Sequence, residues 1–230
     1  MFPAKIDGTF LMAARVVGTI NSQPSLAAAL KLPQGAIDLL ELRLDAFAHD
    51  PGKLLKAIPK LKAPLLITAR HPKEGALEPL SASQRARLYE MFLPHAALLD
   101  TEVRSLSQLQ PVLDKAQAAG VIIVASFHDF KTTPRTDRLQ KLAATAKNAG
   151  ADLFKVAAVA QTPADVGRLL GLFSSAKLPL SVMGMGKMGK ASRLLFARAG
   201  SVLNYGFLDE KAQVSGQWAA TVLKERIAEL

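Results

Sequence analysis

Along the chain, short runs rich in Leu, Ile, Val and Ala alternate with longer stretches in which apolar residues recur every three to four positions. The first pattern suits buried parallel strands and the second suits amphipathic helices packed over them. The expected strands are residues 15–20, 39–45, 64–69, 97–103, 121–128, 153–158, 178–183 and 202–207. An expected helix follows each: 25–32, 51–60, 81–93, 105–119, 135–149, 163–174, 190–199 and 215–230. An open doubly wound sheet would show the same local alternation. Eight βα units with short connections and no Pro/Gly/Ser-rich linker favour an α/β fold of the closed kind, a (β/α)8 TIM barrel. The expected organisation is a single domain over 1–230, with 1–14 covering the bottom of the barrel.

In such a barrel one strand face packs on helices and the other points to the axis, so both should be apolar. Several strands depart from this. In 39–45, Leu40, Leu42 and Leu44 share one face, which leaves Glu41, Arg43 and Asp45 on the other. Alternation alone also describes an exposed strand with a solvated face, but a barrel contains no such strand. The same parity selects Thr68 and Arg70, Asp100 and Glu102, Ser126 and His128, Lys155, and Met183, each near the C-terminal end of its strand. Barrel enzymes place their chemistry at that end. Buried charges of both signs must pair with one another or with a polar ligand, so this convergence marks a candidate site.

Lys155 sits among apolar neighbours, with no acid closer in sequence than Asp152. Desolvation and cations such as Arg43, Arg70 or Arg193 would favour its neutral amine, the form that attacks a carbonyl. A lone lysine in an apolar strand also serves as an edge-strand gatekeeper. His128, at a strand end, suits a base working near neutral pH or a structural packing role. His49, His71 and His95 lie in loops or at helix ends without ligand spacing, and no metal site is expected.

Composition narrows the field further. The chain has 230 residues, half of them hydrophobic, and no cysteine, which excludes disulfides and thiolate metal sites. No run approaches a membrane span and the start lacks a signal-peptide pattern, so a cytoplasmic, non-membrane protein is expected. A net charge of +10 could attract nucleic acid, yet the lysines are scattered and form no basic-aromatic stripe. Gly184-Met-Gly186-Lys-Met-Gly189 matches a dinucleotide fingerprint, with Asp209 about twenty residues on. It falls on the seventh strand, too late to build a nucleotide-binding half; a phosphate cradle with Lys187 and Lys190 is the fairer alternative.

Taken together, these pieces resemble the type I 3-dehydroquinate dehydratases. The resemblance runs from Arg15 to Trp218. It is carried by Glu41-Leu-Arg43-Leu-Asp45-Ala-Phe47, Thr68-Ala-Arg70 with Glu74-Gly75, Ser126-Phe-His128-Asp-Phe130 and Phe154-Lys155-Val-Ala157. The remaining pieces are Met183-Gly-Met185 through Ser192-Arg193, and Ser215-Gly216-Gln217. The resemblance implies a cofactor-free lyase of the shikimate pathway of aromatic amino-acid biosynthesis, a homodimer that takes 3-dehydroquinate as its small-molecule substrate. It also implies roles. Lys155 forms a Schiff base, His128 moves protons and Glu74 orients the imidazole. Arg193 clamps the carboxylate, while Glu41, Arg43, Arg70 and Gln217 hold the ring and Met183 and Met185 give apolar contact. Two departures stand out. Glu74-Gly75-Ala76 replaces the usual Glu-Gly-Gly, and Gln213-Val-Ser215-Gly216-Gln217 replaces Ser-Ala-Pro-Gly-Gln, so that Gln213 and Ser215 become the loop groups expected near substrate.

Overall fold

The computed structural model describes residues 6, 8–209 and 215–230. Eight strands, β1 (Arg15–Ile20), β2 (Leu39–Arg43), β3 (Leu65–Thr68), β4 (Leu98–Glu102), β5 (Ile122–Asp129), β6 (Leu153–Val159), β7 (Leu180–Met185) and β8 (Leu203–Phe207), run parallel in the order 7-6-5-4-3-2-1-8. Helices α1 (Gln23–Lys31), α2 (Pro51–Ala57), α3 (Ala82–Phe92), α4 (Gln110–Ala118), α5 (Thr136–Asn148), α6 (Pro163–Leu170), α7 (Gly189–Arg198) and α8 (Ala220–Ala228) alternate with them. Their starts are written in the sequence. Ser22, Ser81 and Thr162 build reciprocal capping boxes at α1, α3 and α6, each cap worth about 1 kcal/mol.

The sheet returns on itself at β7 and β8 by few bonds. Val202 N–H donates to the Leu180 carbonyl at 2.7 Å, and two hydroxyls complete the joint. The Ser181 Oγ donates to the Leu203 carbonyl at 2.5 Å, and the Ser201 Oγ accepts from Val182 N–H at 3.0 Å. Gly206 lets the start of α8 approach β8, since a Cβ there would meet the Ala220 Cα at 2.5 Å.

Two apolar clusters divide the core. The larger lies between strands and helices, with Leu40, Leu42 and Leu44 in it. The smaller fills the barrel with Val17, Leu39, Leu66, Leu98, Val124, Leu153 and Leu203, and Phe10 and Leu11 pack against it. Two positions further along the same strands stand Thr19, Glu41, Thr68, Asp100, Ser126, Lys155 and Tyr205, all buried. Inward alternation therefore carries each strand from an apolar layer to a polar one.

Some expected boundaries move. β7 starts at Leu180, two residues later than expected, because Pro179 has no N–H for the ladder, and it runs on to Met185. α4 begins at Gln110 rather than at Ser105, whose hydroxyl is engaged by Arg85 and Glu102 at the end of a 3-10 turn. α8 begins at Ala220 rather than at 215, and α6 ends at Leu170. Asp45 lies past β2, in the 3-10 turn Leu44–Phe47, so alternation no longer governs it.

Candidate active site

At the C-terminal ends of the strands is a cavity of about 220 Å³. Glu41, Arg43, Arg70, Glu74, His128, Lys155, Met183, Met185, Arg193 and Gln217, all expected at the site, line it together with Thr19, Tyr205, Leu77 and Phe130. Ser215 is not in the lining; its carbonyl accepts from Gly186 N–H at 2.9 Å. Gln213 lies outside the described residues.

Asp100 is the hub of the floor. It accepts from Lys155 Nζ at 2.8 Å, from Arg70 Nη1 and Nη2 at 3.0 and 3.1 Å, and from Ser126 Oγ at 2.6 Å. Burial alone would raise its carboxyl, but Arg70 and Lys155 outweigh burial and hold it far below the usual range. Arg70 also donates to Glu102, which in turn accepts from Arg85. Signs thus alternate from Arg85 through Glu102, Arg70 and Asp100 to Lys155, and each charge in this row has a partner of opposite sign. With its fork spent on these carboxylates and Ser126, Arg70 shapes the floor from below.

The expectation that cations crowd Lys155 needs correction. The charges nearest its Nζ are Asp100 and, at 3.9 Å, Glu41. Underneath lies the Tyr205 ring, whose centroid is 3.9 Å from Nζ. Glu41 is itself fixed by the hydroxyls of Thr19 and Thr68, which donate at 3.0 and 2.9 Å.

Opposite stand the imidazole and its carboxylate. Glu74 Oε2 accepts the His128 backbone N–H at 2.9 Å and faces Nδ1 at 3.2 Å, leaving Nε2 as the unshared ring nitrogen. Burial first, then the charges of Arg70 and Lys155, push the His128 imidazole well below its ordinary range, so it is neutral at physiological pH. Burial and the charge of Glu102 push the Glu74 carboxyl up to about 7. The turn that carries Glu74 ends at Gly75, in the left-handed region, where a Cβ would strike the Phe130 ring at 2.8 Å. Asp45 rivets this loop, accepting from Arg43, Arg70 N–H and Leu77 N–H.

Arg193 closes the other side. Its Nη1 donates to the carbonyls of Gly184, Gly189 and Gly216 at 2.8, 3.1 and 2.6 Å, while the buried Nε has no partner. Burial pushes its guanidinium down to about 10, still charged at neutral pH, and among the described residues no carboxylate pairs with it. The cavity therefore offers an anion one free cationic face. The glycine-rich segment turns carbonyls toward Arg193, and Lys187 and Lys190 are outside the cavity lining, which disfavours the phosphate alternative.

Strand parity places Asp100 inside the barrel but does not reveal it as the partner of Lys155, and Tyr205 and Thr19 are lining residues outside the expected set. Both lie two residues past an inward apolar residue, Leu203 and Val17, so the parity test would have found them had it been extended to every strand.

A (β/α)8 barrel with a buried lysine, a neutral imidazole and an unpaired guanidinium around one cavity is an enzyme scaffold for a small anionic molecule. The chain belongs to the type I 3-dehydroquinase family, whose model matches residues 16–228. Membership places it among the 3-dehydroquinate dehydratases, enzymes acting on a small-molecule substrate. It is 30% identical to a 3-dehydroquinate dehydratase of Klebsiella pneumoniae, over 95% of this chain and 92% of that one. With the Pyrococcus abyssi enzyme of that name it shares 32% identity, covering 86% and 90% of the two chains. The solved 3-dehydroquinate dehydratase of Geobacillus kaustophilus superposes with a TM-score of 0.82 at 25% identity, covering 94% and 91%. Among the described residues no helix is long and apolar enough to cross a membrane.

Proposed function

We propose that this chain converts 3-dehydroquinate to 3-dehydroshikimate through a Schiff base on Lys155, within the shikimate pathway. The observation that carries the reading is the placement of one lysine amine and one neutral imidazole in the same cavity, with an unpaired guanidinium beside them. The Lys155 amine, freed of its proton, adds to the C3 ketone, and water leaves to give a protonated imine. His128 takes the C2 proton and the electron pair flows into the imine as an enamine. That pair then expels the C1 hydroxyl, which takes the proton from His128 and departs as water. Hydrolysis of the conjugated imine returns Lys155, so the balance is the loss of one water. Arg193 holds the carboxylate, Glu74 orients His128, and Glu41, Arg43, Arg70 and Gln217 position the ring. Met183 and Met185 supply apolar contact beside the imine. Gln213 belongs to the same assignment as a loop contact, whereas Ser215, outside the lining, is left to hold the loop against Gly186.

An absorbance rise from the conjugated product, on adding 3-dehydroquinate to purified protein, is the expected result. Its absence with folded protein would sink the reading. A single barrel domain, a homodimer and a cytoplasmic location are parts of the same proposal; the homodimer rests on the family resemblance, the single domain on eight βα units without a linker, and the location on the cysteine-free composition.

The clamp has its own test. Arg193→Lys replaces a planar fork by a point charge and loses at least one charge-assisted hydrogen bond, so KM should rise by roughly ten- to a hundredfold. Unchanged steady-state constants would remove Arg193 from the site.

A further inference from the structure

One half-exposed side chain from outside the cavity reaches the proton-handling pair. While Glu74 Oε2 serves His128, its other oxygen, Oε1, is 2.9 Å from Arg104 Nε. Arg104 lies in the turn Val103–Ser105 after β4, its side chain 43% exposed and absent from the cavity lining. We propose that Arg104 is a positioning residue that, by holding Glu74 as a carboxylate through Oε1, keeps Oε2 an acceptor and fixes the His128 proton on Nδ1. Nε2 is then the basic nitrogen left for the substrate. The inference rests on the reading of His128 as the acid–base group.

The charges around Glu74 show why one more cation matters. Glu102, on β4, repels it, and Arg70, at the end of β3, attracts it but is committed to Asp100 and Glu102. His128, on β5, contributes its N–H and its neutral ring. Among the described residues Arg104 is the one arginine or lysine in direct contact with this carboxylate. Arg104 contributes less than Arg70 to holding Glu74 ionised, but Glu74 is already poised at about 7, so loss of that contact raises its protonated share at neutral pH. A protonated Glu74 offers a hydroxyl to Nδ1, the ring proton passes to Nε2, and the lone pair facing the substrate is gone. Sign follows directly: the active form has Glu74 ionised, so activity rises with pH through the macroscopic titration of the Glu74–His128 pair, and removing Arg104 moves that limb upward.

Two measurements test this. In the pH profiles of kcat and kcat/KM, Arg104→Gln should shift the acid limb up by about half a unit, the size a partly exposed ion pair supports. The profiles should meet the parent enzyme's at alkaline pH with little change in KM, and Arg104→Lys should recover part of the shift. In the ligand-free protein with nitrogen-labelled histidine, NMR should show the share of His128 protonated on Nδ1 smaller, and the share on Nε2 larger, in Arg104→Gln than in the parent at neutral pH. An unmoved limb with an unmoved tautomer overturns the proposal, and so does an equal loss of activity at every pH. The NMR measurement needs no substrate. A tautomer that moves in a protein inert to dehydroquinate would therefore fail the functional reading alone, whereas an active enzyme with an unmoved tautomer would fail this one.

Discussion

Lys155→Ala should lose nearly all turnover, and borohydride added with substrate should then leave no mass increment on the peptide containing Phe154-Lys155-Val156. In the parent protein the same treatment should inactivate irreversibly and place the increment there. Without the amine no imine forms, and the carbanion at C2 has no electron sink. Loss of fold is not a competing explanation. Asp100 keeps both Arg70 nitrogens and the Ser126 hydroxyl when the lysine is gone. The carboxylate is thus not orphaned, and the roughly 3–5 kcal/mol cost of an uncompensated buried charge does not arise in full. Lys187→Ala and Lys190→Ala serve as controls that keep the adduct, since neither lysine lines the cavity. Full activity in Lys155→Ala, or no labelling of the parent protein, would end the Schiff-base proposal.

The second large effect concerns the imidazole. His128→Ala should lower turnover by about 10²–10⁴-fold, the range that general acid–base catalysis contributes. Substrate still meets Lys155 in this variant, so the borohydride-trapped adduct should persist or accumulate while product formation stalls. The two variants therefore fail differently, one before the covalent step and one after it. Near-normal turnover in His128→Ala would make the strand-end histidine a packing residue against Phe130, on which it stacks with ring centroids 6.3 Å apart.

Much of this arrangement is legible in the sequence because parallel barrels are demanding about parity. Leu39-Leu-Glu41-Leu-Arg43 makes sense on a doubly buried strand only if the odd positions face the barrel interior, and they do: Leu39 joins its apolar layer, and Glu41 and Arg43 line the cavity above. Partners are another matter. Lys155 and Asp100 are 55 residues apart, and nothing local to either says that they meet. The expectation of a cationic setting for Lys155 failed for that reason: it counted the interior arginines without knowing that Asp100 stands between Arg70 and the amine. Helical periodicity extends α4 back to 105 and α8 back to 215, because it does not reveal that Ser105 is spent on buried charges or that chain near 215 is held against Gly186. Arg104 carried no signal at all, being one charged residue in a turn.

The joint between β7 and β8 also sets how the barrel can change over generations. The other strand pairs are joined by continuous ladders of backbone amide and carbonyl groups, which side-chain substitutions other than to proline leave in place. Here two serine hydroxyls do part of that work, each worth about 1 kcal/mol. This joint is therefore encoded in side chains, and a lineage could loosen or tighten the barrel at Ser181 or Ser201 one codon at a time, beside the strand that carries Met183 and Met185 and ahead of the helix that carries Arg193.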